Sequence, residues 1–189
     1  MLLTAGLLSA SIHSAYAQEY SNGFNNGFGI SEIRAGIMAH SVDRPGPNGE
    51  ILNLTRLEDV SFEMLFFSPQ IVVFKWIGSP KINLGTTINT QGRESEIHLG
   101  LTWQAQIFDT GVFVEGTLGG AIHNGALDGV VEPARKLGSR VLFYEAAGIG
   151  YNFSDNMNII VFAEHASNAN LASPNMGLSN LGVKFGYKF

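Results

Sequence analysis

Residues 95–107, SEIHLGLTWQAQI, limit what this chain can fold into more than any other stretch. Ile97, Leu99, Leu101, Trp103, Ala105 and Ile107 fall on one parity, and Glu96, His98, Gly100, Thr102, Gln104 and Gln106 on the other. Successive side chains of a strand point to opposite faces, so a period of two over this length predicts a strand with one apolar and one polar face. The last residues, LGVKFGYKF, repeat the pattern: Leu181, Val183, Phe185, Tyr187 and Phe189 alternate with Gly182, Lys184, Gly186 and Lys188. Helical periodicity is scarce elsewhere, and the chain reads as all-β.

The apolar faces need a partner. A soluble sandwich would supply a second sheet, but composition points to lipid. Charged residues are only 14% of the chain, against roughly 25% in ordinary soluble proteins. Gly is abundant at 23 residues, Phe numbers 13, and no run of about 18 apolar residues offers a transmembrane helix. A final strand carrying alternate aromatics and a terminal Phe resembles the closing strand of a bacterial outer-membrane barrel, where the apolar parity meets lipid and aromatics form the interfacial girdle. No free sheet edge survives in hydrocarbon, so such a sheet must close.

Strands are expected near residues 30–40, 57–67, 80–89, 95–108, 111–122, 140–153, 156–167 and 177–189, eight in all. The expected architecture is therefore an eight-stranded antiparallel outer-membrane β-barrel whose lumen side chains can fill. With a periplasmic N-terminus, the tight turns at Asp109-Thr110 and Ser154–Asn156 fall inside the cell envelope and the longer loops fall outside. Glu32, Arg34, Asp59, Glu63, Lys81, Glu96 and Glu115 share the inward parity and are expected to pair in the lumen. Residues 68–80, SPQIVVFKWIGSP, are long and apolar for a periplasmic turn; a strand extension and an interfacial segment both fit them.

Residues 1–17 read as a secretory signal peptide ending in Ala15-Tyr16-Ala17, although no Lys or Arg precedes the apolar stretch. Residues 18–189 then form the barrel domain. The chain has no Cys, so thiol chemistry and disulfides are excluded, and a net charge of −5 gives no basic footprint for nucleic acid. His40, His98 and His123 are scattered and lack metal-ligand spacing. The loop Asn124 to Lys136 suits a lid or a sugar contact no better than a plain connection. Sequence leaves a homodimer open.

Chemistry concentrates in EHASNANLASPNMGL, residues 164–178. His165 and Ser167 continue the outward parity of Met157, Ile159, Val161 and Ala163 to the outer end of the seventh strand. A serine hydroxyl becomes a nucleophile when a neighbouring base takes its proton, and that base needs an orienting third group. The headgroup level also tolerates such a polar pair with no chemistry attached. This stretch resembles the lipid A 3-O-deacylase (PagL-like, acyloxyacyl hydrolase) family, which carries H-x-S-N, a spacer, and N-x-G before the last strand. His165, Ser167, Asn168, Asn175 and Gly177 fill those places.

The resemblance implies that Ser167 is the nucleophile, His165 the general base, and Asn168 an oxyanion donor. It implies an ester-linked 3-hydroxyacyl chain of lipid A in lipopolysaccharide as substrate, the outer membrane as location, and no metal or cofactor. The alternative is a non-enzymatic structural or adhesive barrel. The chain departs from the family at the acid: the place twelve residues after the serine, a Glu in the family, is Ser179. If Ser154–Asn156 is a three-residue turn, Phe153 pairs with Met157 and Glu145 falls opposite His165. Opposed residues have Cβ atoms roughly 4.5–5.5 Å apart, and Glu145 shares the outward parity, so it is the candidate acid. Glu164 has the inward parity.

Overall fold

The computed structural model describes residues 29–44, 52–131 and 134–189; the expected leader, residues 1–17, lies outside them. The alternating segments form β1 (Ile30–Ala39), β2 (Leu57–Phe66), β3 (Lys81–Asn89), β4 (Glu96–Gln106), β5 (Val112–His123), β6 (Val141–Asn152), β7 (Met157–Ser167) and β8 (Leu178–Lys188). Each strand pairs antiparallel with the next, and β1 pairs with β8, which closes the barrel. Closure satisfies every edge at once, as a sheet in hydrocarbon requires.

One parity builds the wall. Ile37, Phe62, Leu99, Leu118, Ile149, Val161 and Phe185 are exposed around the outside. The other parity fills the lumen. Arg34 donates from Nε to Glu32 at 2.8 Å, from Nη1 to Glu63 at 3.3 Å, and to both Glu115 oxygens at 2.9 Å. Lys184 Nζ donates to Glu63 at 2.7 Å and lies 3.8 Å from the Phe162 ring centroid. Lys81 completes the group at 3.6 Å from Glu32. Asp59 is buried against His40 and Asn89, whereas Glu96, also expected to pair, is buried with neither carboxylate oxygen hydrogen-bonded. Net attraction between such charges depends on every one being paired, because each loses its hydration on burial.

The two ends of the barrel differ. Short turns join β4 to β5 and β6 to β7, while β1–β2, β3–β4, β5–β6 and β7–β8 are joined by loops at the opposite end. The segment that alternation left open holds a five-residue helix, α1 (Val72–Trp76), between β2 and β3. Its side chains are unburied, and Trp76 is 84% exposed. The helix is tied to the outer wall by Trp103, whose indole N–H donates to the Ile77 carbonyl at 2.7 Å. At the loop end, Leu137 of the β5–β6 loop is fully buried with Ala121, Leu142, Tyr144, Ala166 and Leu178, so a loop residue plugs the lumen.

Candidate active site

β7 delivers His165 and Ser167 to the loop end of the barrel, on the outward parity and half-buried. The turn after β6 has the expected register, with the Phe153 N–H donating to the Met157 carbonyl at 3.2 Å. Glu145 therefore stands opposite His165 on one side, and Ser179 of β8 stands opposite it on the other. Phe143 faces Ser167. Glu145, His165 and Ser179 thus form one outward row across three strands.

The imidazole bonds to the β8 side. His165 Nδ1 and Ser179 Oγ are 2.8 Å apart. With the proton on Nδ1, the ring donates to the hydroxyl and leaves the Nε2 lone pair free. Glu145 is exposed and makes no hydrogen bond or ion pair with His165, although the register places them side by side. No hydrogen bond joins His165 to Ser167.

Gly177 sets the other face of the ring. Its φ is +63°, a left-handed value that suits glycine. A Cβ there would lie 2.8 Å from His165 Cε1 and 3.3 Å from Nε2, so the bare Cα is the seat of the imidazole. Sequence comparison with the family picked out this glycine; its role as a seat needed the structure.

Asn168 is placed differently from its expected role. It is 3% exposed, and its side-chain NH2 donates to the carbonyls of Leu137 at 2.9 Å and Pro174 at 3.1 Å. Its backbone N–H donates to Asn175 Oδ1 at 3.1 Å. The amide donors are therefore committed to the loop. Asn168 and Asn175 close the loop on itself, which explains why both asparagines accompany the serine.

The loop Asn124 to Lys136, which sequence left without a task, proves to touch the site through its C-terminal end and the residues just beyond. Leu137 and Gly138 lie under Asn168 and Pro174, and the Lys136 carbonyl accepts from the Met176 N–H at 3.0 Å. These contacts, all of them to main-chain atoms of at least one partner, join segments distant in sequence, and no residue pattern announces them.

Behind the loops lies a buried charge relay. His40 Nδ1 is 2.9 Å from Asp59, and Nε2 is 3.1 Å from Glu94. Burial pushes the His40 pKa down, but the hydrogen bonds and charges of Asp59 and Glu94 outweigh it and raise the pKa above 6.5. Burial likewise raises Glu94, and bonds from His40 and the Arg135 N–H overcome that and bring it to about 2. His40 thus binds its proton more tightly when folded. Its contribution to stability is full below 6.5 and is lost as pH rises through the raised folded value. Glu94 contributes above 4.5 and loses its contribution as pH falls towards about 2. Thermal unfolding followed by circular dichroism in detergent should show a midpoint that drops on the alkaline side. His40→Gln should flatten that slope; an unchanged slope would remove His40 as its cause. Among the described residues, no group of three or more His, Asp or Glu is arranged to hold a metal ion.

A closed eight-stranded barrel with an apolar wall, a paired lumen and a polar row at its outer rim defines a small outer-membrane barrel protein. A family model for lipid A 3-O-deacylase (PagL) matches residues 67–188, and the chain belongs to that family. The fold agrees. The crystal structure of the outer membrane enzyme PagL superimposes with a TM-score of 0.55 at 16% identity, covering 84% of this chain and all of that one. A de novo designed transmembrane β-barrel gives 0.47 at 10% identity, covering 88% and 98%. The Yersinia pestis outer membrane protein Ail gives 0.45 at 15%, covering 85% and 99%. A sequence search of curated proteins finds no match. The protein is an outer-membrane barrel.

Proposed function

We propose that the protein hydrolyses the ester at the 3-position of lipid A and releases a 3-hydroxyacyl chain, with Ser167 as nucleophile and His165 as general base. The observation that carries this reading is the outward row at the rim: His165 bonded through Nδ1 to Ser179, two residues from Ser167 on the same face of β7. A lipid A molecule in the outer leaflet brings its ester to that level without leaving the membrane.

In this mechanism Ser167 Oγ attacks the ester carbonyl while His165 Nε2 takes its proton. The tetrahedral intermediate collapses, and the imidazolium returns the proton to the departing 3-oxygen of the glucosamine. Water, activated by the same Nε2, then frees the 3-hydroxy fatty acid from the serine. Asn168 acts by holding the loop. Ala169 and Asn170 follow it in consecutive left-handed conformations, with φ values of 51° and 61°. They form a tight turn directly after the serine, closed by the Leu171 N–H donating to the Asn168 carbonyl at 3.0 Å. No step calls for a metal or cofactor.

The third member is divided. Ser179 orients the ring as a neutral acceptor, and Glu145, opposite on β6, is the carboxylate of the outward row. A neutral hydrogen bond is worth about 1 kcal/mol, so Ser179→Ala should lower kcat about fivefold. Glu145→Gln should cost a similar factor, about 1.4 kcal/mol in the barrier for each tenfold. Steady-state kinetics on micellar lipid A separates them. A fully active Glu145→Gln leaves Ser179 as the sole partner, and full activity in both variants refutes the divided triad.

A further inference from the structure

Arg135 lies in the β5–β6 loop and is 4% exposed, yet the reaction just described gives it no part. Its contacts reach the three other loops at that end of the barrel. The guanidinium donates from Nη2 to Asp43 and from Nε to Ser41 Oγ at 3.2 Å, both in the β1–β2 loop. Its backbone N–H donates to Glu94 before β4. Its Nη1 donates to the Met176 carbonyl at 3.2 Å, in the β7–β8 loop.

That last acceptor matters because of its place in the chain. The Met176 carbonyl belongs to the peptide plane that ends at Gly177 Cα, the seat of the His165 ring. On the other side of Met176, its N–H is held by the Lys136 carbonyl at 3.0 Å, and the Lys136 N–H meets Met176 Sδ at 3.4 Å. Residues 135–138 therefore clasp residues 174–176 from both sides, and Arg135 fixes the rotation of the final peptide. A guanidinium suits this task because its donors lie in one rigid plane and can serve several acceptors at fixed angles.

We infer that Arg135 is a positioning residue for deacylation: it ties the outer loops to residue 176 and so holds Gly177 against His165, keeping Nδ1 on Ser179. The inference rests on the reading of Ser167 and His165 given above. Closure of the barrel does not depend on Arg135, which lies outside every strand. Its loss should loosen the ring without opening the sheet or altering the lipid-facing wall where the substrate docks.

The test uses the full barrel in detergent micelles, with two readouts: kcat and KM on lipid A, and the rate at which a fluorophosphonate labels Ser167. Labelling reports activation of the serine independently of lipid A. A small misplacement of a catalytic group can cost about 10²-fold, so Arg135→Ala should lower kcat and labelling together by about that factor, with KM unchanged. Arg135→Lys should fall between, and added guanidinium should restore part of the activity of Arg135→Ala. Should Arg135→Ala fail to fold, Asp43→Ala takes its place; it removes one anchor of the guanidinium and should give a smaller drop in kcat and labelling.

Labelling of Arg135→Ala equal to wild type overturns the inference and leaves the serine mechanism standing. So does a loss that neither lysine nor guanidinium rescues and that tracks a lowered unfolding midpoint. With Arg135→Ala unfolded, full kcat and labelling in Asp43→Ala overturns it equally. A wild-type barrel that takes no label overturns the serine mechanism itself, and the inference with it.

Discussion

Ser167→Ala should retain the barrel and lose deacylation by a factor of about 10³ or more, since removal of a triad nucleophile leaves only binding and oxyanion stabilisation. The structure makes this a clean substitution. Ser167 is half-buried at the end of β7 and its hydroxyl joins no hydrogen bond to His165, so removing it orphans no buried partner. The neighbouring ladder, from Phe143 opposite Ser167 to Ala166 opposite Leu178, rests on backbone bonds that alanine keeps. Far-UV circular dichroism and heat-dependent gel mobility should therefore match wild type while lipid A turnover disappears. Retained turnover would move the nucleophile elsewhere.

Arg34→Ala should have the largest effect on stability. The guanidinium bonds to Glu32, Glu63 and Glu115 in the lumen. Lys184 and Lys81 would remain, at 2.7 Å from Glu63 and 3.6 Å from Glu32, but Glu115 would keep only Lys184 at 3.7 Å and Gln104 Nε2 at 3.0 Å. Breaking one side of a buried ion network costs about 3–5 kcal/mol, because a carboxylate is left desolvated and undercompensated. The urea midpoint in detergent should fall accordingly, and Glu115→Gln added to Arg34→Met should recover much of the loss. An unchanged midpoint in Arg34→Ala would mean that water or the remaining lysines compensate.

The strands were legible because a barrel wall gives each strand two unlike environments, lipid and lumen, and residues such as Ile97 to Trp103 record that difference at every second position. Glu145 opposite His165 was legible for a related reason: a short turn leaves the register countable from Phe153 and Met157. The bond from His165 to Ser179 was harder. A ten-residue loop separates β7 from β8, and the choice between two flanking side chains turns on ring rotation, which depends on Gly177. The partners of Asn168 were not legible, because side-chain chemistry names a donor but not its acceptor, and the acceptors, Leu137 and Pro174, lie in two loops. Arg135 was invisible for the same reason. Residues 68–80 resisted because α1 is one short apolar turn on a membrane protein's surface, where neither period two nor 3.6 is enforced.

Mass spectrometry of lipid A incubated with the purified barrel in detergent tests the central claim most directly. Loss of one 3-hydroxyacyl mass, assigned to the 3-position by fragmentation, is expected with wild type and not with Ser167→Ala. An unchanged lipid A mass with folded wild-type protein, across lipid A forms bearing that ester, would contradict it and favour a barrel that keeps the rim geometry without turnover.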